Sequence, residues 1–214
     1  MVFTVSACKG PKKEDTAAMA VSIKPENAVV EQDEGLDEIP NPSDISFEKA
    51  FDAYNTGDFK KAAAMINTGI TQLQQEEKSA VPAEGLLFDK YVAKLHQLAD
   101  KIQKNKITDT EELTKTVANV EMLIAHDYLT YSSTVVEGKP ESANTYFGKA
   151  LAALDKAIPK LKGDALKEAQ NIKSESMNLK ADVQKGTAGV RDDLKKETNK
   201  IEDFLNRYHT ALMD

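Results

Sequence analysis

Apolar residues recur at helical spacing from Ser46 onward, and polar residues fill the positions between them. The longest apolar stripe comprises Leu113, Val117, Val120, Ile124, Tyr128, Tyr131 and Val135. Beyond residue 46, no stretch alternates with a period of two between turn signals, so the pattern predicts no strand. The sequence therefore predicts an all-α fold.

Residues that end or begin helices separate the apolar runs into about seven predicted helices. Gly57 ends the first, and Asp58 caps the second. Pro82 suits the first turn of the third, and Gly138 is predicted to end the fourth in a left-handed conformation. We predict a helical bundle over residues 46–214, with its last two helices antiparallel.

Two predicted turns resemble each other, and this similarity extends into the helices that follow them. Gly57 and Gly138 lie 81 residues apart. The same offset pairs Ile70 with Leu151, Leu73 with Leu154, and Leu98 with Leu179. The pattern predicts a duplicated three-helix unit, and the alternative is an incidental similarity between amphipathic helices.

The segment before the helices has a different composition. Residues 9–45 contain Pro11, Pro40, Pro42 and an acidic run, with few aromatic residues. Such a segment buries too little apolar surface to offset the entropy of ordering the chain. We therefore predict that residues 9–45 form a disordered acidic linker.

The single cysteine of the chain, Cys8, follows Val5, Ser6 and Ala7. This order resembles the lipobox of bacterial lipoprotein precursors, in which the cysteine thiol receives a diacylglycerol and the preceding peptide is removed. The resemblance implies that Cys8 is lipidated and that residues 1–8 are the remnant of a signal peptide. The alternative is a lone cysteine in a flexible terminus.

The lipobox resemblance also implies a location. The stretch before Cys8 is shorter than the apolar region of about 7–15 residues in a signal peptide, so we expect a native start codon upstream of Met1. Lys9 replaces the aspartate that retains lipoproteins in the inner membrane, which favours the outer membrane. The expected membrane contact is an N-terminal lipid, since several acyl chains anchor stably.

Composition excludes several classes of protein. The net charge of −7 argues against a nucleic-acid partner, because phosphate binding requires a basic face. There is no run of 18 apolar residues to span a bilayer, and one cysteine excludes a disulfide scaffold.

Two families resemble parts of the helical region. The glycine, small residue and aromatic order after Gly57 and Gly138 is similar to the middle of a tetratricopeptide repeat, although those repeats recur at about 34 residues. The stretch 138–158 resembles the YfdX family of helical bacterial envelope proteins, over a core of about residues 46–158. Both resemblances imply a helical fold, and neither implies a settled activity.

The sequence offers little catalytic or metal-binding chemistry. His96, His126 and His209 lie on different predicted helices, without the spacing that places two ligands on one face. We expect no metal and no cofactor. His126 and Asp127 are adjacent, and neighbouring helical positions point about 100° apart, so they are not predicted to face each other.

The candidate binding residues are tyrosines that could line a groove between helices: Tyr54, Tyr91, Tyr128, Tyr131 and Tyr146. The alternative places them in the core. The leading hypothesis is a non-enzymatic, lipid-anchored envelope protein whose helices bind another envelope protein. The second is a soluble helical protein that holds a small ligand near Tyr128 and Tyr131. An enzyme is the third, and it requires histidines clustered with carboxylates.

Overall fold

The chain is helical throughout the residues that this computed structural model describes, which are 42–79, 86–106 and 110–209. The helices are α1 Pro42–Asn55, α2 Phe59–Ser79, α3 Leu86–Gln103, α4 Glu111–Val135, α5 Pro140–Ala157, α6 Gly163–Asn178, α7 Lys180–Lys185 and α8 Val190–His209, with a 3₁₀ turn at Ile158–Lys160. No strand occurs within these ranges, so the predicted all-α class is confirmed.

Helix α4 forms the centre of the bundle, because it packs against α3, α5 and α8. The predicted stripe from Leu113 to Tyr128 is buried, and Ala118, Met122 and Leu123 on other faces of α4 are buried as well. A helix that is apolar all round is expected in the interior of a bundle. Helix α1 packs against α2 and α2 against α3, while α6 contacts both α5 and α8, and α7 contacts α5.

The sixth predicted helix is divided in the structure. Helix α6 ends at Asn178, and the Leu179 N–H donates to the Ser176 carbonyl at 2.9 Å before α7 begins. Gly186 then ends α7 with a φ of 60°. The prediction of a left-handed stop at Gly138 is wrong: α4 ends at Val135, and Gly138 is not among the glycines with positive φ.

The helical region begins earlier than predicted. The predicted linker includes residues 42–45, but these residues form the first turn of α1. Pro42 suits that position because its fixed φ is helical and its missing N–H would have no partner there. Ser43 and Asp44 are buried against the rest of the bundle. Cys8 and the predicted linker up to residue 41 lie outside the described residues.

The pattern of buried residues in the first unit recurs in the second unit, 81 residues further along the chain. Pairs with both members buried include Ala62 and Ala143, Ile66 and Phe147, Leu73 and Leu154, Phe88 and Ala169, Tyr91 and Ile172, and Ile102 and Val183. The pairs lie on α2 and α5, and on α3 and α6–α7. The two three-helix units therefore bury equivalent faces, as the duplication predicts. Within the described ranges, no helix has the length and apolarity to cross a bilayer.

Candidate functional site

Two of the five candidate tyrosines are packing residues. Tyr91 on α3 is fully buried, its hydroxyl donates to the Leu205 carbonyl at 3.4 Å, and burial raises its pKa above the usual value. Tyr54 at the end of α1 packs edge-on against Phe59, with ring centroids 5.3 Å apart. These two residues hold α3 to α8 and α1 to α2.

The other three tyrosines form a cluster between α4 and α5. The Tyr131 and Tyr146 ring centroids lie 4.1 Å apart in an edge-on arrangement, and the Tyr128 and Tyr146 centroids lie 5.9 Å apart. The Lys149 ammonium lies 5.3 Å from the Tyr128 ring and 5.5 Å from the Tyr146 ring. The structure thus brings these three candidates together, although no tyrosine of the five lines either groove described below.

The histidines are dispersed. His96 Nδ1 lies 3.3 Å from Asn67 Oδ1, and the side chain of His209 is outside the described residues. The expectation that His126 and Asp127 do not meet is wrong, since Nδ1 lies 2.9 Å from Oδ1. The two Cα–Cβ bonds still diverge, but rotation about the side-chain bonds brings the polar ends of the two side chains together. Among the described residues, no three His, Cys, Asp or Glu side chains group as metal ligands.

A buried polar cluster joins the start of α1 to α2, α4 and α5. The Ser43 N–H and hydroxyl donate to the two Glu76 carboxylate oxygens at 3.0 and 2.7 Å. Asp44, with a side chain only 3% exposed, accepts a hydrogen bond from the Lys156 ammonium. Glu121 on α4 is 2% exposed and belongs to the same cluster.

Burial dominates the electrostatics of this cluster. Burial and the neighbouring Asp44 carboxylate raise the pKa of Glu121 well above 4.5, against the opposing effect of Lys160 and Lys156. Burial also raises the pKa of Glu76, despite its two hydrogen bonds from Ser43. The folded chain therefore favours an uncharged Glu121 beside the Asp44–Lys156 ion pair. The sequence did carry a signal, since Asn119 and Glu121 are the only polar residues in the apolar run 117–125.

An open groove lies between α5 and the divided pair α6–α7. Its volume is about 340 Å³, and its apolar lining includes Phe147, Leu151, Ala152 and Met177. Met177 is 53% exposed, which is unusual for a large apolar side chain in this domain. Four charged residues also line it: Asp155, Lys156, Lys173 and Lys180.

The charges at this groove are predominantly positive. Lys173 pairs with Asp155, and Lys156 pairs with Asp44. Lys180 has no ion pair within the described part of the chain, so it leaves a net positive charge beside an apolar surface. An apolar segment that also bears carboxylates would complement this arrangement.

A scan against models of known protein families, a search of curated proteins and a search of solved structures found no match for this chain. The resemblances to lipoproteins, YfdX proteins and tetratricopeptide repeats therefore stay predictions.

Proposed function

We propose that this protein is a non-enzymatic lipoprotein of the bacterial cell envelope, anchored through a lipid on Cys8, and that its helical domain binds a segment of another envelope protein. The α5/α6–α7 groove is the proposed binding surface. The support is an apolar, partly exposed surface between α5 and the pair α6–α7, with the exposed Met177 on it. Amphipathic segments commonly bind in such grooves between helices.

The observation that carries the binding proposal is a difference between the two duplicated units. At the offset of 81 residues, Gly148 and Met177 of the groove correspond to Asn67 and His96. Asn67 and His96 are in contact, with 3.3 Å between the amide oxygen and the ring nitrogen, and this contact joins α2 to α3.

The second unit has no such polar contact at the equivalent place. Gly148 has no side chain to reach across, and Met177 presents a flexible apolar side chain to solvent. A second equivalent pair shows the same trend, since Ile70 is 1% exposed whereas Leu151 is only partly buried. The second unit thus has an apolar, open surface where the first unit has a polar contact between two exposed side chains, and such a surface suits a partner.

The charge of the groove indicates the class of partner. The lysines around an apolar floor favour a helix or extended segment with apolar anchors flanked by Asp or Glu. The exposed methionine can adapt its shape to such anchors. We therefore propose an acidic amphipathic segment as the ligand of this surface.

The anchor is tested by expressing the gene with its upstream region in a bacterial host, beside a Cys8→Ser variant. We expect the intact mass of the wild type to include a diacylglycerol and its protein to sediment with membranes. Cys8→Ser should lose both properties while keeping its helical circular dichroism spectrum. An unmodified thiol in a protein that stays in the soluble fraction would contradict the lipoprotein proposal.

The groove is tested by photo-crosslinking in the same host, with p-benzoylphenylalanine at Lys180. A matched control places the photo-crosslinker at Glu202, which is exposed on α8 and does not line the groove. We expect one discrete protein adduct at position 180 and none at position 202, with the adduct identified by mass spectrometry.

A double variant, Gly148→Asn with Met177→His, introduces the polar pair of the first unit into the second. It should close the groove and remove the adduct, with little change in thermal stability. If the same adducts form at positions 180 and 202, or if the double variant crosslinks like the wild type, the groove is not the binding surface.

A further inference from the structure

A second groove lies on a different part of the domain, where the N-terminal ends of α4 and α6 meet the C-terminal end of α8. Its volume is about 550 Å³, within the range of about 300–1,000 Å³ that is usual for small-molecule sites. Leu161 and Ala165 provide apolar lining, and Tyr208 lines the α8 side. The groove has the size and mixed lining of a site for a small organic molecule.

Asn119 marks the interior of this groove. It lies on α4, it is 3% exposed, and it lines the groove. Its side-chain amide has no hydrogen-bond partner within the described ranges. Solvent in the groove still reaches the polar atoms of this amide, so they are open to a ligand that enters the groove. A ligand with a polar group at this position would supply the missing hydrogen bond.

The charges around the groove favour an anion. Both rim carboxylates are already paired with a lysine: Glu111 with Lys115 at 2.6 Å, and Asp164 with Lys167 at 3.2 Å. Lys160 and Lys162 also line the groove and have no ion pair in the described residues. The Lys160 ammonium donates to the Lys156 carbonyl at 2.8 Å, and the Lys162 charge helps to lower the pKa of Glu111. The charged residues that line the groove are Lys115, Lys160, Lys162, Glu111 and Asp164, and their net formal charge of +1 favours an anion.

The backbone adds to this preference. The N-cap residue is Thr110 in α4 and Lys162 in α6. Neither side chain makes a capping hydrogen bond to its helix. The first N–H groups of a helix have no intrahelical partner, and the helix dipole is positive at that end. Both N-cap residues line the groove. The two helix ends therefore favour a negative charge in the same part of the groove as Lys160 and Lys162.

We propose that this groove binds a small soluble organic anion, with its carboxylate, sulfonate or phosphate beside Lys160, Lys162 and the start of α6. Its apolar body lies on Leu161 and Ala165, and the Asn119 amide donates a hydrogen bond to it. This site is separate from the α5/α6–α7 groove and does not depend on the proposed partner protein.

The test is an NMR titration of the ¹⁵N-labelled protein with 2-naphthoate, beside the uncharged 2-naphthol as matched probe. We expect saturable shifts of the backbone amides of Asn119, Leu161 and Ala165 with 2-naphthoate. Binding of 2-naphthol should be at least about fivefold weaker, because it lacks the charge. Equal binding of the two probes, or no saturable shift at these amides in the millimolar range, would overturn the proposal.

Variants distinguish the site from general surface binding. Asn119→Leu keeps the size of the side chain and removes a buried polar group, so it should be at least as stable as the wild type yet bind 2-naphthoate about fivefold more weakly. Lys162→Ala should weaken binding about threefold. Lys60→Ala on α2 removes an equal charge away from the groove and should leave binding unchanged. Equal weakening by Lys162→Ala and Lys60→Ala would indicate a nonspecific charge effect and overturn the site.

A lipid headgroup shares the chemistry of a free organic anion, so vesicles provide a separate arm. Vesicles of phosphatidylcholine with phosphatidylglycerol are added to the protein without its lipid, beside vesicles of phosphatidylcholine alone. We expect neither vesicle to compete with 2-naphthoate at the groove amides. Shifts at these amides with anionic vesicles but not with 2-naphthoate would assign the groove to a membrane surface and overturn the soluble ligand.

Discussion

Replacing Gly69 with alanine tests how closely α1 and α2 pack. A Cβ atom at position 69 would lie 2.6 Å from Phe47 Cε1 and 2.9 Å from both Cδ1 and Cζ of the same ring. Ordinary carbon–carbon contacts are about 3.5–4.0 Å, so the ring would have to move by about 1 Å. Phe47 is only 1% exposed and lies in the hydrophobic core, so the ring has little room to move.

Two opposing effects decide the size of the change. Alanine in a helix interior is favoured over glycine by about 1 kcal/mol. Inserting a methyl group into a filled core costs about 1–3 kcal/mol. Because three carbons of one enclosed ring are too close, we expect a cost near the upper end of that range. The free energy of unfolding should therefore fall by about 2 kcal/mol.

Urea unfolding followed by circular dichroism measures this change, and the melting temperature should fall by about 4–8 °C. Thr68→Ala is the control, because Thr68 is exposed on the same helix and should show only the gain in helix propensity. Adding Phe47→Leu to Gly69→Ala should recover at least about 1 kcal/mol relative to the sum of the single changes. The packing argument fails if Gly69→Ala is as stable as the wild type.

Two further predictions concern the buried polar cluster. Because burial raises the pKa of Glu121, the folded chain binds more protons than the unfolded chain above pH 4.5, so stability should fall as pH rises through the folded pKa. Glu121→Gln should make the free energy of unfolding, measured with urea at several pH values, depend less on pH. The groups that act on Glu121 are Asp44, Lys156 and Lys160. If the wild type and the variant show the same pH dependence, the assignment to Glu121 is wrong. Lys156→Met should lower the free energy of unfolding by about 3 kcal/mol, because the buried Asp44 carboxylate loses its lysine. Adding Asp44→Asn should restore most of that loss, and no restoration would mean that the ion pair is not the cause.

Local patterns were sufficient to predict the all-α class and where most of the helices lie. The apolar stripe of α4 recurs with the period of a helix, and its residues from Leu113 to Tyr128 are buried as that period requires. The Asp58 side chain accepts the Lys61 N–H at 3.0 Å, as expected of an N-cap residue. Each of these features depends on neighbours within one or two turns, so one sequence contains enough information to find it.

The polar cluster depends on distant residues, so the pattern did not reveal it. Asp44 and Lys156 are separated by 112 positions, and Ser43 and Glu76 by 33. Neither pair has a local signature, because the fold alone brings the two helices together. Glu121 stands out in an apolar run, but the sequence does not show which groups surround it.

The α5/α6–α7 groove arises where the second unit departs from the repeat. Leu98 lies inside the continuous helix α3 and is 2% exposed, whereas its equivalent Leu179 lies at the division between α6 and α7 and is only partly buried. No proline or glycine lies in the segment 178–180, so the helix break has no local sequence signal. The division between α6 and α7 and the presence of Gly148 at the position equivalent to Asn67 affect the same helix interface. Both leave the helices less tightly packed there. The groove and the broken helix are therefore two results of one local departure from the repeat. This is why the proposed binding surface lies in the second unit and has no counterpart at the equivalent described residues of α2 and α3, which are joined by a polar contact.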